Sequence, residues 1–140
     1  MTATSLLQLE RAQAFISALS NLDCDAITPL LSPEFTHQIF PLSLGGNGKA
    51  VRNKDEFLDL LRSVSSMITS LNYQTPLDII QAQDVVIFHL LADGKTKNGK
   101  EYKNEYMFTI RFDGEQIHGV REFMDSQYVT AALPGHTGAG

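Results

Sequence analysis

The stretch "KTKNGKEYKNEYMFTIRFDGEQIHGV" limits the folding options of this chain more than any other. Between the turn-forming dipeptides Asn98-Gly99 and Asp113-Gly114, side chains alternate with the two-residue period of a β-strand. Tyr102, Asn104, Tyr106, Phe108, Ile110 and Phe112 share one face, which reads as the inner one. Lys103, Glu105, Met107, Thr109 and Arg111 share the other. "VVIFHLLADGKTK" reads as the strand before this one and "IHGVREFMDSQYV" as the strand after it. Upstream, "NYQTPLDIIQAQ" adds a fourth, so the second half of the chain is an antiparallel meander.

The first half has a different period. From Ser5 to Ser20, Leu6, Leu9, Ala12, Phe15, Ile16 and Leu19 recur every three or four residues, the stripe of an amphipathic helix. Asp23 or Asp25 can cap a short second helix ending near Pro33. "EFTHQIFP" reads as a strand and "LSLGGNGKAVRN" as a loop. Asn53 or Asp55 can cap a third helix through about Thr69, with Phe57, Leu60, Leu61, Val64 and Ile68 inside. Helices first and meander second specify an α+β fold, a curved antiparallel sheet wrapped around the N-terminal helices. Such a sheet leaves a cone-shaped pocket. One domain is expected over residues 1–133, with 134–140 as a tail.

Register decides which side chains see that pocket. With a two-residue turn at Asn98-Gly99, His89 falls opposite Phe108, Leu91 opposite Tyr106 and Asp93 opposite Asn104. His89 and Leu91 then face inward. The other face of that strand (Val86, Phe88, Leu90, Ala92) is also apolar, and a strand apolar on both faces needs cover on both. A homodimer packed through the outside of the sheet would supply it. The last strand stays open: a two-residue turn at Asp113-Gly114 turns Arg121, Phe123 and Asp125 inward, a three-residue turn Val120, Glu122 and Met124.

Composition removes several classes. Net charge is −5, against a phosphate-tracking nucleic-acid binder. No apolar run approaches the roughly 18 residues of a membrane span, and Glu10 and Arg11 interrupt the N-terminus before a signal-peptide core can form. Cys24 is alone, so it has no disulfide partner within the chain. "LGGNGKA" lacks the spacing of a phosphate loop, and no G-x-S-x-G motif is present. A cytoplasmic location follows as the expectation.

"GKEYKNEYMFTIRFDGEQIHGVREFMDS" resembles the C-terminal hairpin of SnoaL-like proteins in the nuclear transport factor 2-like superfamily. The order of elements over nearly the whole chain is similar too. Against the limonene epoxide hydrolase branch, the Arg-x-Asp pair of the second strand falls on His89 and Leu91, and the acid of the last strand on Glu122. The resemblance implies that Glu122 looks into the pocket. The branch's Tyr-x-Asn falls near His37-Gln38-Ile39, so its hydrolytic relay is absent here.

These readings make His89 and Glu122 the expected acid–base pair. His37, Asn104, Tyr106, Phe108, Leu91, Val120 and Met124 are expected to form the substrate-binding wall, with Asn104 and Tyr106 orienting a substrate oxygen. The expected activity is a cofactor-independent isomerase or cyclase on an apolar polyketide or terpenoid-type metabolite. A non-catalytic binding or dimerisation module and an epoxide hydrolase with an altered relay are the alternatives. No metal is expected, since His37, His89 and Glu122 lack a close-spaced ligand motif.

Overall fold

The computed structural model of the chain describes residues 2–44 and 50–132. Residues 45–49 of the expected loop, the domain limit at 133 and the tail 134–140 with His136 lie outside the described residues.

Helix α1 (Ala3–Ser20) is capped by Thr2, whose side chain accepts from the Ser5 N–H. Ala12, Phe15, Ile16 and Leu19 are buried as the stripe requires, but Leu6 is half exposed. Its place at that end is taken by Gln8, whose Nε2 donates to Asp84 Oδ1 at 3.0 Å and to the Gly114 carbonyl at 2.8 Å. The first turns of α1 therefore lie against two sheet turns and make polar contacts there. Helix α2 (Cys24–Ile27) is capped by Asp23 and runs into a 3-10 turn at Thr28–Leu30. Strand β1 (Leu31–Phe40) starts before Pro33. Strand β2 (Val51–Asn53) leads into α3 (Lys54–Ser65), where Asn53 and Glu56 form a reciprocal capping box.

The third helix stops at Ser65, because Ile68 already belongs to β3 (Ile68–Tyr73). The expected single strand over 72–83 is split: Pro76 lies between β3 and β4 (Asp78–Ala82). Both halves pair with the long β5 (Val85–Thr96). Strands β6 (Glu101–Asp113) and β7 (Gln116–Met124) complete the meander. The expected extension of β7 to Val129 is instead helix α4 (Ser126–Ala132), held by a hydrogen bond from the Tyr128 N–H to Asp125 Oδ1.

Strand order among the described residues is β2-β1-β7-β6-β5-β3, with β4 on the other part of β5. The sheet is curved, unclosed and mixed rather than wholly antiparallel. β1 lies parallel to β7, which the long chain between them allows. Phe15 of α1 and Phe57 of α3 stack at 6.1 Å. They cover the inner face, where Phe35, Phe88, Phe108 and Ile110 are buried.

Two turns set the register on which the site depends. The Thr96 N–H donates to Lys100 O and the Gly99 N–H to Thr96 O, so residues 97–99 form a three-residue loop. Gly99 occupies its left-handed position at φ 80°. His89 therefore pairs with Met107 and Leu90 with Tyr106. At the next turn Asp113 pairs with Gln116 across Gly114 and Glu115. Phe112 then pairs with Ile117 and Arg111 with Gly119, leaving His118 as an extra residue. The tight turn and the bulge together turn Val120, Glu122 and Met124 inward.

Gly94 marks a close approach of β3 and β5. A Cβ there would lie 2.2 Å from the Ser70 carbonyl oxygen, a backbone atom that cannot swing away. Gly94→Ala is expected to lower unfolding free energy by about 1–3 kcal/mol, the usual cost of overpacking. Urea denaturation reads this directly, and an unchanged midpoint would refute the packing.

Candidate functional site

The inner wall of the sheet and helices α1, α3 and α4 enclose a cavity of about 80 Å³. Leu19, Leu61, Ile68, Leu71 and Val129 supply much of its apolar lining. Among the described lining residues Glu122 is the one with a charged side chain, and three phenols, Tyr73, Tyr102 and Tyr106, supply the other polar groups.

Glu122 meets a histidine, but not the expected one. His37 Nε2 lies 2.9 Å from Glu122 Oε1. The His37 side chain is fully buried and that of Glu122 16% exposed. Register explains the contact: His37 pairs with Val120 and Ile39 with Glu122, so the two are diagonal neighbours on the inner face. When the imidazole is neutral, its proton sits on Nε2 and donates to the carboxylate. Nδ1 makes no hydrogen bond among the described residues. The Phe57 ring packs 4.6 Å from the imidazole, centre to centre. Glu122 thus faces the cavity, with His37 beside it and off the lining.

Arg52 pairs with His37 across β1 and β2 and is itself buried. Burial lowers the affinity of its guanidinium for the proton, while the negative charges of Glu122 and Glu56 oppose that effect.

The phenols form a second polar group on the lining. Tyr102 and Tyr106 Oη are 2.8 Å apart. Asn104 Nδ2 donates to Tyr102 Oη at 3.0 Å, and the Glu105 N–H donates to Asn104 Oδ1 at 2.8 Å, which fixes the amide. The Tyr73 ring meets Tyr106 edge-on at 5.4 Å. Burial raises the pKa of Tyr73 and Tyr106 well above the ordinary phenol value. The charge of Glu122 adds to both shifts. Tyr102 is raised by burial too, with its hydrogen bonds to Tyr106 and Asn104 acting the other way. All three remain protonated donors at neutral pH.

Of the expected wall, Tyr106 and Met124 line the cavity, and Asn104 reaches it through Tyr102. Phe108 and Val120 are buried on the same inner face without lining it. The inward placement of His89 and Leu91 is corrected: both lie on the outer face, because the three-residue loop shifts β5 by one position. His89 Nε2 lies 2.6 Å from Glu105 Oε2, with the two side chains 31% and 58% exposed. Val86, Phe88, Leu90 and Ala92, expected outside, are the buried side. His37, His89 and Glu122 therefore cannot converge, and no group of three His, Cys, Asp or Glu side chains among the described residues is placed to hold a metal ion.

A solvent-accessible polar contact such as His89–Glu105 contributes roughly 0–1 kcal/mol. His89→Ala is expected to leave both stability and cavity ligand binding nearly unchanged. A large loss of ligand binding in that variant would return His89 to the pocket.

Sequence reasoning had not assigned Tyr73, Tyr102 or Arg52 to the site. Tyr102 was legible as the first inward residue of β6. Tyr73 was hidden by the break between β3 and β4. Arg52 lay in a segment read as loop, and no pattern there marks it.

Residues 12–120 match the family model of the SnoaL-like domain. A protein named monooxygenase ptaG from Pestalotiopsis fici is 23% identical over 138 residues, 97% of this chain and 94% of its own. A monooxygenase from Claviceps purpurea is 24% identical over 137 residues, 96% of this chain and 85% of its own. The crystal structure of BvnE pinacolase from Penicillium brevicompactum superposes with a TM-score of 0.79 at 21% identity, covering 94% of this chain and 91% of that one. PrhC from Penicillium brasilianum gives 0.82 at 15% identity, with 93% and 87% covered. At these identities the structures are evidence of fold. No described helix is long and apolar enough to cross a membrane.

Proposed function

The chain belongs to the SnoaL-like domain family, and on that premise we propose that it is an acid–base enzyme of secondary metabolism acting on a mostly apolar small molecule. Glu122 is the group that moves protons. The observation that carries this is the placement of one carboxylate on an otherwise apolar and phenolic wall, with a buried histidine 2.9 Å away. The Glu122 side chain is only 16% exposed, and His37 engages one of its carboxylate oxygens, which leaves the other free for a ligand. Isomerisation or cyclisation of a polyketide or terpenoid-type molecule requires proton removal at one atom and delivery at another, which one carboxyl group can perform in turn. A second reading, oxidation of the same class of molecule, comes from the names of the two fungal relatives.

The test is hydrogen–deuterium exchange of small apolar ketones, acetophenone first, followed by NMR in D₂O. The protein is expected to accelerate exchange beside the carbonyl, and Glu122→Gln to remove the acceleration. Cavity binding with no acceleration for any ketone would favour a non-catalytic binding module.

The outer face of the sheet supports the expectation of a homodimer through different residues from those first assigned. Phe123 and Met107 pair across β7 and β6 and are 52% and 39% exposed. Ile80 and Ile87 continue the apolar surface across β4 and β5. Arg121 lies level with Thr109 on one side of Met107, and Glu105 lies an equal two residues to the other side. A two-fold axis running across the strands at Met107 would bring Arg121 of one copy level with Glu105 of the next, an isologous match. Sedimentation of the wild type is expected to give a dimer and Phe123→Glu a monomer with an intact cavity. A monomeric wild type would contradict the assembly.

A further inference from the structure

We propose that helix α4 is a lid on the cavity, displaced from β6 when a ligand enters or leaves, and that the Tyr128 hydroxyl is the latch that holds it shut. The inference rests on the reading of the cavity as a small-molecule site. It is independent of the proton chemistry assigned to Glu122.

The closed volume creates the need for a moving wall. The cavity measures about 80 Å³. An apolar cavity that admits a benzene-sized ring measures about 150 Å³, and sites for larger metabolites start at roughly 300 Å³. A polyketide or terpenoid-type molecule therefore enters only if part of the wall gives way. Helices α1 and α3 are locked to each other, since the buried rings of Phe15 and Phe57 stack at 6.1 Å. Phe57 also ties α3 to Phe35 of β1 at 5.2 Å. The strands are joined by ladder hydrogen bonds. Helix α4 has only seven residues and places one described side chain, the buried Val129, in the lining.

The way α4 is held supports the choice. β6 begins at Glu101, but its pairing with β7 begins only at Tyr106 opposite Met124. From Glu101 to Glu105 one edge of β6 therefore has no strand beside it. Alternate backbone groups on that edge find partners in the segment that carries α4. The Asp125 N–H donates to the Glu105 carbonyl at 3.1 Å. Tyr128 Oη accepts from the Lys103 N–H at 2.7 Å and donates to the Glu101 carbonyl at 3.2 Å. One phenol thus takes the place of a strand. Its ring also meets Tyr102, a cavity-lining residue, edge-on at 5.8 Å. Glu101 and Lys103 are exposed, so water replaces the phenol when α4 lifts, and no buried polar group is left without a partner. A segment held by exposed hydrogen bonds and one apolar anchor is of the kind that opens locally while the rest of the fold stays closed.

NMR on the full chain, with acetophenone as the probe, tests the lid. Tyr128→Phe keeps the ring against Tyr102 and removes the hydroxyl. Losing the latch weakens the closed form equally with and without ligand, so the rates change and the affinity does not. Association and dissociation, read from exchange of the lining leucine methyl resonances, are each expected to rise about tenfold, the effect of one or two lost hydrogen bonds. Kd is expected to stay nearly constant. Without ligand, the Asp125 amide is expected to exchange with solvent faster in the variant, although its own acceptor, the Glu105 carbonyl, is untouched. Unchanged rates with saturable binding would overturn the lid and place entry elsewhere. A change in Kd alone would also overturn it, because Tyr128 would then shape the cavity rather than gate it. Absence of saturable binding in both proteins would defeat the reading of the cavity as a small-molecule site, and the lid with it, which keeps the two failures distinct.

Discussion

Replacing Glu122 by Gln is expected to slow cavity-dependent proton exchange by about 10²–10⁴-fold, the range in which a positioned acid–base group acts. The change in melting temperature should be small. Glutamine has the same shape as glutamate, and its Oε1 can accept the His37 Nε2 hydrogen bond in place of the carboxylate at 2.9 Å. The buried imidazole therefore keeps its partner. What disappears is the capacity to accept and return a proton. Exchange followed by NMR gives the rate, and a melting curve on the same sample controls for folding. A variant with wild-type exchange would remove Glu122 from the mechanism.

Phe57→Ala should produce the largest loss of stability, about 3–5 kcal/mol by the usual cost of deleting a buried aromatic ring. The ring is 1% exposed and sits where three elements meet. It stacks on Phe15 of α1, tilts against Phe35 of β1 at 5.2 Å, and packs on the His37 imidazole at 4.6 Å. Removing it separates α3 from the sheet and opens space beside the His37–Glu122 pair, where water can enter. Urea unfolding measures the loss. A cost below about 1 kcal/mol, ordinary for a surface change, would mean that α3 is not seated over β1.

The strength of the alternation in each strand determined how much of this was legible in the sequence. On β6 every inward position is apolar, phenolic or Asn104, and every outward one except Met107 and Thr109 is charged. Its faces were therefore unambiguous. Helical periodicity gave Ala12, Phe15, Ile16 and Leu19 of α1 and Phe57 and Leu61 of α3, but it also placed exposed Leu6 inside, ran α3 on to Ile68 and passed over buried Leu58. Asn53 was one of two candidate caps, and it is the one used. β5 is apolar on both faces: Val85, Ile87 and Leu91 flank His89 on one, and Val86, Phe88 and Leu90 lie on the other. Its pattern could not choose between them, and the choice fell to the turn. Asn98-Gly99 has the composition of a two-residue turn, yet Gly99 serves as the left-handed residue of a three-residue loop. One extra loop residue turned His89 out of the cavity and left Glu122 to a different histidine.

Glu122 was a case of two departures that combine. The turn after β6 is a two-residue one, which alone would have turned Arg121 inward. The bulge at His118 then shifts β7 back by one residue. The turn was legible in Asp113-Gly114, but its length was not, and the bulge has no sequence signature of its own; the inward place of Glu122 came from the resemblance to SnoaL-like proteins. The His37–Glu122 contact lay further out of reach. It depends on the parallel pairing of β1 with β7, between strands separated by most of the chain, and on a register that no local turn fixes.

The central claim is that Glu122 is partnered by His37 within the cavity while His89 belongs to the outer face. Nitrogen-15 spectra of the histidine side chains, compared between wild type, Glu122→Gln and Glu105→Gln, test it most directly. Glu122→Gln is expected to move the ring resonances of His37 and leave those of His89 in place, and Glu105→Gln to do the reverse. If Glu122→Gln moves His89 and leaves His37 untouched, the register of β5 and the site built on it are wrong.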